Sequence, residues 1–183
     1  MTTFKLRFPI SRIAALAARF PGEDDEEIER DIAPAARARG YLLRREFLRL
    51  CEWKTPRTRS LCASNSPQPI RSATRLAFAT SDPSESVTHL MQLRGVALPT
   101  ASVILHFCAP DPYPILDVRA LWSLGAVGPV SRYRAVWPEY VTATREIARR
   151  ARCDMRTLDR ALWQYSKESE STFVARSWTD EAD

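Results

Sequence analysis

Glycine is scarce in this sequence, with 5 in 183 residues, and runs of alternating β-branched residues are rare too. Apolar residues instead recur at intervals of three and four positions in most windows, a spacing that gathers them on one face of a helix. With 45% hydrophobic and 27% charged residues, the composition is ordinary for a globular protein and excludes wholesale disorder. We therefore predict an all-α protein.

Lysine is nearly absent as well. Only 3 of the 27 basic residues are lysines, which leaves 24 arginines, and the net charge is +5 with a pI near 9.3. The planar guanidinium of arginine donates hydrogen bonds in pairs to phosphate oxygens, so this bias is compatible with a nucleic-acid partner. A GC-rich genome would produce the same bias, and composition does not separate the two explanations.

The four cysteines contain neither a CxxC pair nor a compact cluster; they stand at Cys51, Cys62, Cys108 and Cys153. Structural zinc and iron–sulfur sites need closely spaced thiolates, so we predict neither. Reduced, mostly buried thiols are the expected state.

Long apolar runs are missing too. The run Ile13–Ala18 is short and is flanked by Arg12 and Arg19, so it suits neither a signal peptide nor a membrane span. We expect a cytoplasmic protein with no membrane partner; its oligomeric state is left open by the sequence.

The helical pattern predicts one domain over residues 1–168, in one or two lobes, followed by a loosely attached tail at 169–183. The acidic stretch Glu23–Asp31 suits a helix N-terminus, because carboxylates complement its exposed amides, and that helix could run to Arg39. The other predicted helices are Ile10–Arg19, Leu43–Trp53, Pro69–Ala79, Ser84–Leu93, Pro99–Cys108, Asp117–Leu124, Tyr133–Cys153 and Arg156–Lys167.

The most informative segment is Leu90–Gly125. A helix ending at Leu93 is followed by the tight turn Arg94-Gly95-Val96-Ala97 and by a helix that begins near Pro99. Gly95 supplies the positive φ that such a turn needs, and the turn directs the first free amides of the second helix outward. A phosphate can accept hydrogen bonds from such amides, which would bind the nucleic-acid backbone without reading its sequence.

These residues resemble the helix-hairpin-helix superfamily of base-excision DNA glycosylases, whose hairpins follow the pattern Leu-Pro-Gly-Val-Gly-x-x-Thr-Ala. The chain has Leu-Arg-Gly-Val-Ala-Leu-Pro-Thr-Ala at 93–101, and Asp117 stands 18 positions after Pro99, where the family has an acid that opens the next helix. The resemblance is specific from about Leu90 to Leu124. It implies a two-lobed helical glycosylase fold and a DNA partner. The hairpin residues that would bind DNA are Gly95, Val96, Ala97 and Thr100, and Arg94 and Arg119, which flank the hairpin and Asp117, could meet a phosphate as well.

Two departures from the family pattern bear on chemistry. Ala97 replaces the second glycine, which adds a methyl group where the backbone would approach a phosphate. Pro99 stands where bifunctional members have the lysine that attacks the sugar, and a proline offers no amine for a Schiff base. The resemblance therefore implies a monofunctional glycosylase that uses water and no cofactor. Hairpin carbonyls could bind a monovalent cation, as they do in similar hairpins.

Asp117 is the predicted catalytic residue. Cleavage of an N-glycosidic bond builds positive charge on the sugar, which a fixed carboxylate would stabilise while orienting or deprotonating water. The alternative is an N-cap, because Asp117 precedes the helical run Val118–Leu121 and could accept hydrogen bonds from its amides. The two roles are compatible with each other.

A glycosylase also needs walls for an extruded base, and Trp53, Lys54, Tyr113 and Trp122 are the candidates. A core position is the alternative for the tryptophans, and for Trp122, Trp137 and Trp163 we favour it. Arg94 and Arg119 could equally be plain surface charges.

Two other functions remain open at this point. The same hairpin could belong to a DNA-binding module without catalysis, or it could be a structural corner of a helical protein-interaction domain. A glycosylase acting on a damaged, modified or mispaired base is the favoured hypothesis; which base, and whether in repair or in defence, does not follow from the sequence.

Overall fold

The structure, a computed structural model, describes residues 4–22, 25–126 and 130–169. This part of the chain is helical and contains no β-strand, so the all-α prediction is confirmed. Within it, no helix combines the length and the apolar character needed to cross a lipid bilayer. Most of the predicted tail, beyond Ser169, lies outside the described residues, as do Glu23 and Asp24 of the predicted acidic helix.

The chain forms two compact units. We call Gly22–Tyr113 the middle unit, and the described residues on either side of it in sequence the terminal unit. The middle unit contains α2 (Ala33–Arg39), α3 (Arg44–Lys54), α4 (Arg59–Ala63), α5 (Pro67–Ala79), α6 (Pro83–Leu90) and α7 (Leu98–Cys108). The terminal unit contains α1 (Ile13–Ala17), α8 (Val118–Ser123), α9 (Trp137–Ala151) and α10 (Met155–Glu168). Short 3-10 segments at Ile10–Arg12, Pro56–Thr58 and Val130–Arg134 connect to these helices.

In the middle unit, α7 is the most apolar helix and lies at the core. Nine of its 11 residues are buried, and it packs against α2, α3, α5 and α6. Burial on nearly all sides explains why its apolar residues are not confined to one face. Because α7 is packed in this way, its two ends, at Leu98 and Cys108, are held in fixed positions within the middle unit.

The helix that leads to Arg39 is irregular. Residues Ile28–Ile32 form a π-helical turn in which the Ala33 amide donates to the Ile28 carbonyl, five residues back. Pro34 follows directly; it has no N–H and its ring crowds the carbonyl of Arg30, so the preceding turn widens. The helix ends at Gly40, whose φ of 79° is the left-handed conformation typical of a helix C-terminus.

In the terminal unit, α10 is the central element and packs against α1, α8 and α9. Fully buried side chains at this junction include Leu16, Leu121, Trp137, Tyr140 and Leu158. Trp137 is therefore a core residue as predicted, whereas Trp122 and Trp163 are half-buried. All four cysteines are free thiols, and Cys51, Cys62 and Cys108 are buried.

Helix α4 was not predicted. It is only five residues long, too short for apolar periodicity to reveal it. The predicted helix Ser84–Leu93 was too long at its end, because the chain leaves the helix at Leu90 and continues as a turn through Ala97.

Candidate functional site

The turn between α6 and α7, residues 91–97, contains the predicted positive-φ glycine. After α6 the chain tightens: the Leu93 amide donates to the Leu90 carbonyl at 3.1 Å and the Val96 amide donates to the Leu93 carbonyl at 3.2 Å. Gly95 then has a φ of 79°, as predicted from the turn pattern. We call this segment the α6–α7 turn.

Gly95 is also required for packing. A Cβ atom at this position would lie 2.8 Å from Cys62 Sγ, 2.9 Å from the Cys62 amide nitrogen and 3.0 Å from Leu61 Cβ. Two of these three atoms are a backbone nitrogen and a Cβ, which cannot move aside easily. The α6–α7 turn therefore lies directly on α4, and only glycine fits at the contact.

Asn65, just after α4, holds the turn in place. Its side-chain oxygen accepts from the Arg94 amide at 3.0 Å, and its side-chain nitrogen donates to the Arg94 carbonyl at 2.9 Å and to the Cys62 carbonyl at 2.9 Å. Arg44 in turn donates to the carbonyls of Ala63 at 2.6 Å and Asn65 at 3.2 Å. This network ties the turn to α3 and α4, so its backbone conformation is preorganised.

The N-terminus of α7 has no side-chain cap. Its N-cap residue is Ala97, which is exposed, and Pro99 occupies the first turn. Among the described residues, no group accepts a hydrogen bond from the amides of Gly95, Ala97 or Leu98. These amides are thus hydrogen-bond donors left without an acceptor at or just before the positive end of the buried helix, where an anion would be favoured.

The predicted DNA-binding side chains of the turn differ in access. Arg94 is exposed, whereas Val96 is 7% and Thr100 is 2% exposed. The side chains of Val96 and Thr100 therefore lie in the core. Of these two residues, only backbone groups could contact DNA as predicted. Arg94 and the backbone of Gly95 and Ala97 are the groups that remain accessible.

Arg119 belongs to the terminal unit, as does Asp117. Its guanidinium lies 5.4 Å from the centre of the Trp163 ring, and one of its nitrogens donates to Ser166 Oγ at 3.4 Å. Both contacts are made to α10. Arg119 thus contributes to the packing of its own unit, and its contact with a phosphate stays a prediction.

Asp117 is the N-cap of α8. Its Oδ1 atom accepts from the Ala120 amide at 2.7 Å, so the capping alternative is confirmed, and the residue is half-buried. Nearby, Tyr140 is fully buried and donates from its hydroxyl to the Ile115 carbonyl at 2.8 Å. Burial, together with the negative charge of Asp117, raises the pKa of Tyr140 well above its usual value of 10. This tyrosine therefore stays neutral beside the carboxylate.

The four residues predicted for a base pocket do not come together as one group in either unit. Trp53 donates from its indole nitrogen to Asp25 Oδ1 at 2.8 Å, and its ring meets the ring of Phe107 edge-on at 5.5 Å. Trp122, in the terminal unit, stacks on Tyr165 at 5.7 Å beneath the guanidinium of Arg7 at 4.8 Å. Lys54 ends α3 and is half-buried.

Tyr113 is the clearest correction among these four. Its side chain is 2% exposed and its hydroxyl shares a hydrogen bond with Ser86 Oγ at 3.2 Å. Its carbonyl also lies 2.6 Å from His106 Nδ1. The ring is part of the core of the middle unit, because the Pro-rich segment around it folds back onto α6 and α7, and so it is not an open wall for a base.

Sequence reasoning missed the residues that support the turn, namely Leu61, Cys62 and Asn65. A weak signal was present, since an apolar pair followed by Asn and Pro is typical of a short helix and its stop. Across the described residues, no three His, Cys, Asp or Glu side chains are grouped so that they could hold a metal ion. In the comparisons with known proteins, no family model, no curated protein and no solved structure matches this chain.

Proposed function

We propose that this chain binds DNA through the α6–α7 turn, in the manner of a helix-hairpin-helix protein, and hydrolyses the N-glycosidic bond of a damaged, modified or mispaired base. The observation that carries the proposal is the uncapped N-terminus of α7, where Gly95 has a φ of 79° and the amides of Gly95, Ala97 and Leu98 have no acceptor among the described residues. A phosphodiester group supplies acceptors of the right charge for that position.

Three features favour this binding mode. The turn is held by Asn65 before any ligand arrives, so little conformational entropy is lost on binding. Arg94 is exposed within the turn and adds a charged donor beside the amides. Backbone donors recognise the sugar-phosphate chain and not the bases, which suits an enzyme that must search DNA of any sequence.

The chemical step is assigned to Asp117. As the bond between C1′ and the base nitrogen breaks, its electron pair leaves with the base and positive charge develops on the sugar. A carboxylate near C1′ stabilises this charge and takes a proton from water, whose oxygen forms the new bond to C1′. The departing base takes one proton from solvent water, and the carboxyl group returns its own proton to the solvent, which regenerates Asp117. Support for this role comes from the position of Asp117 in the resemblance and from its fixed, half-buried carboxylate.

The test compares wild type with Asp117→Asn and Asp154→Asn on duplexes carrying a panel of base lesions. Asp154 caps α10 by accepting from the Thr157 amide at 2.6 Å, so it matches Asp117 in chemistry and in structural role. Asparagine is a good N-cap, so both variants should fold. We expect wild type and Asp154→Asn to release free base from at least one lesion, and Asp117→Asn to release none while its DNA affinity is unchanged.

A second candidate is a DNA-binding module without catalysis. Two observations favour it: Asp117 already has a structural role as the cap of α8, and the exposed methyl group of Ala97 stands where the family has glycine. This candidate predicts salt-sensitive duplex binding that is the same with and without a lesion and the same in Asp117→Asn. Absence of any duplex binding at low salt would contradict both candidates.

A further inference from the structure

The middle unit contains a cavity of about 280 Å³ at the end of α7 opposite to the α6–α7 turn. Three arginines and no acidic residue line it. The lining residues are Arg37, Arg39, Gly40, Arg75, Phe78, Ala79, Cys108 and Pro110. Helix α7 has 11 residues, or about 16 Å of length, so this cavity is separate from the proposed DNA-binding turn.

An aromatic ring holds two of the lining arginines together with a third arginine outside the lining. The guanidinium carbons of Arg39, Arg75 and Arg71 lie 5.1, 5.0 and 5.7 Å from the centre of the Tyr41 ring. Each such contact is favourable, because the negative face of the ring attracts the guanidinium charge. One ring therefore gathers three positive charges that would otherwise repel each other.

Few acidic side chains of the protein neutralise the arginines at this cavity. Arg39 pairs with the buried Glu46 at 2.5 Å, and Arg37 donates to the Phe107 carbonyl at 2.9 Å. In the part of the chain that the structure describes, Arg71 and Arg75 form no ion pair, and both are exposed. Four guanidinium groups thus share one carboxylate, and an anion from outside would relieve their mutual repulsion.

The remaining wall of the cavity is apolar. Phe78 is 8% exposed, and Cys108 is fully buried with its thiol pKa raised to about 12 by that burial, so the thiol is neutral. The cavity is open beside Gly40, where an added Cβ would meet no atom within 4 Å. An apolar wall below a rim of arginines fits a ligand that has a phosphate at one end and a planar apolar group at the other.

From this geometry we infer that the arginine cavity binds the phosphate of a nucleotide, either a free mononucleotide or the terminal nucleotide of a nucleic-acid strand. Arg75 and Arg39 contact the phosphate through paired guanidinium N–H groups, and the base lies against Phe78 and Pro110. The volume lies just below the usual range for small-ligand pockets, roughly 300–1,000 Å³, so the cavity suits a ligand no larger than one nucleotide. This inference is independent of catalysis at Asp117 and of binding at the α6–α7 turn.

Calorimetric titration at low salt with thymidine 5′-monophosphate, thymidine and inorganic phosphate tests the site. We expect the monophosphate to bind most tightly, and Arg75→Ala to weaken it about tenfold or more, the effect of losing a hydrogen-bonded charge pair. Arg150→Ala removes an equally exposed arginine outside the lining and should leave the affinity unchanged. Duplexes with 5′-phosphate ends and duplexes with 5′-hydroxyl ends are then tested as competitors of the monophosphate. Tighter binding of the 5′-phosphate duplex than of the monophosphate would show that the site prefers the end of a strand to a free mononucleotide.

Tyr41 gives a test that leaves every charge in place. Tyr41→Leu removes the ring that gathers the arginines, whereas Tyr41→Phe retains it. We expect a several-fold loss of affinity in the leucine variant and wild-type affinity in the phenylalanine variant, with thermal unfolding as the check that both fold. The inference is overturned if no phosphate-bearing probe binds, or if Arg75→Ala and Tyr41→Leu bind the monophosphate as wild type does.

Discussion

Two helix N-termini in this protein are built in opposite ways. Helix α8 begins at Asp117, whose carboxylate accepts from the Ala120 amide, whereas α7 begins at Ala97, which has no side chain able to cap. A carboxylate cap is favourable by about 1 kcal/mol relative to alanine. Helix α8 thus satisfies one of its first amides with a side chain, while α7 leaves its first amides for another acceptor. Because α5 and α9 also begin without a side-chain cap, the feature of α7 that needs a functional explanation is the combination of an uncapped end with a turn that Asn65 holds in place.

The largest expected effect on this difference between α7 and α8 comes from Gly95→Ala, which should disrupt the turn before α7. A positive φ costs a non-glycine residue roughly 1–2 kcal/mol, and the close approach to Cys62 adds about 1–3 kcal/mol. Gly40→Ala is the matched control, because Gly40 has the same φ of 79° with no atom within 4 Å of an added Cβ. Urea unfolding should show the larger loss in Gly95→Ala; equal losses would mean that α4 does not constrain the turn.

A smaller loss is expected for Asn65→Ala. The variant leaves the Arg94 amide and carbonyl without their partner in a partly buried position, which costs about 1 kcal/mol. Because the turn is then less well ordered, duplex affinity should fall as well. Asn65→Asp is the informative companion: its carboxylate can still accept from the Arg94 amide but cannot donate to the Arg94 carbonyl. If both variants bind duplex DNA as wild type does, preorganisation by Asn65 is unimportant.

Adding a side-chain cap to α7 should make its N-terminus similar to that of α8. Ala97 has an extended backbone, with φ −100° and ψ 175°, which suits an N-cap residue. Ala97→Ser is expected to stabilise the fold by about 1 kcal/mol and to weaken DNA binding, because the hydroxyl competes with phosphate for the same amides. The midpoint of thermal unfolding and duplex affinity should therefore move in opposite directions. A rise in both would show that the amides are not the DNA contact.

The smallest effect concerns pH and the terminal unit. Arg19 donates to both carboxylate oxygens of Glu168 at 2.7 and 2.9 Å, which lowers the pKa of Glu168 from 4.5 to about 2. Since the folded pKa is the lower one, the stabilising effect is complete above pH 4.5 and disappears as the pH falls through 2. Glu168→Gln should be slightly less stable than wild type at pH 6, and the difference should shrink between pH 4.5 and 2. A difference that stays constant across this range would contradict the assignment.

Much of the α6–α7 region could be predicted from local signals. Gly95 has the expected positive φ, Pro99 lies in the first turn of α7, and Asp117 caps the next helix. Each feature depends on the backbone preference of one residue and on its neighbours within four positions. Errors came where contacts are distant: Tyr113 was proposed as a pocket wall, but its hydrogen bond to Ser86, 27 positions earlier, places it in the core.

The amino-acid sequence by itself determined the all-α class, the conformation at Gly95 and the cap at Asp117, because helix periodicity, glycine and capping residues act locally. Only the tertiary structure decided that Asn65 holds Arg94 from 29 positions away, and that Tyr41 gathers Arg39, Arg71 and Arg75 around one cavity. Except for Arg39, which stands two positions before Tyr41, these contacts join segments that are far apart in the sequence. Which segments meet depends on how the helices between them pack, and no short window of sequence encodes that.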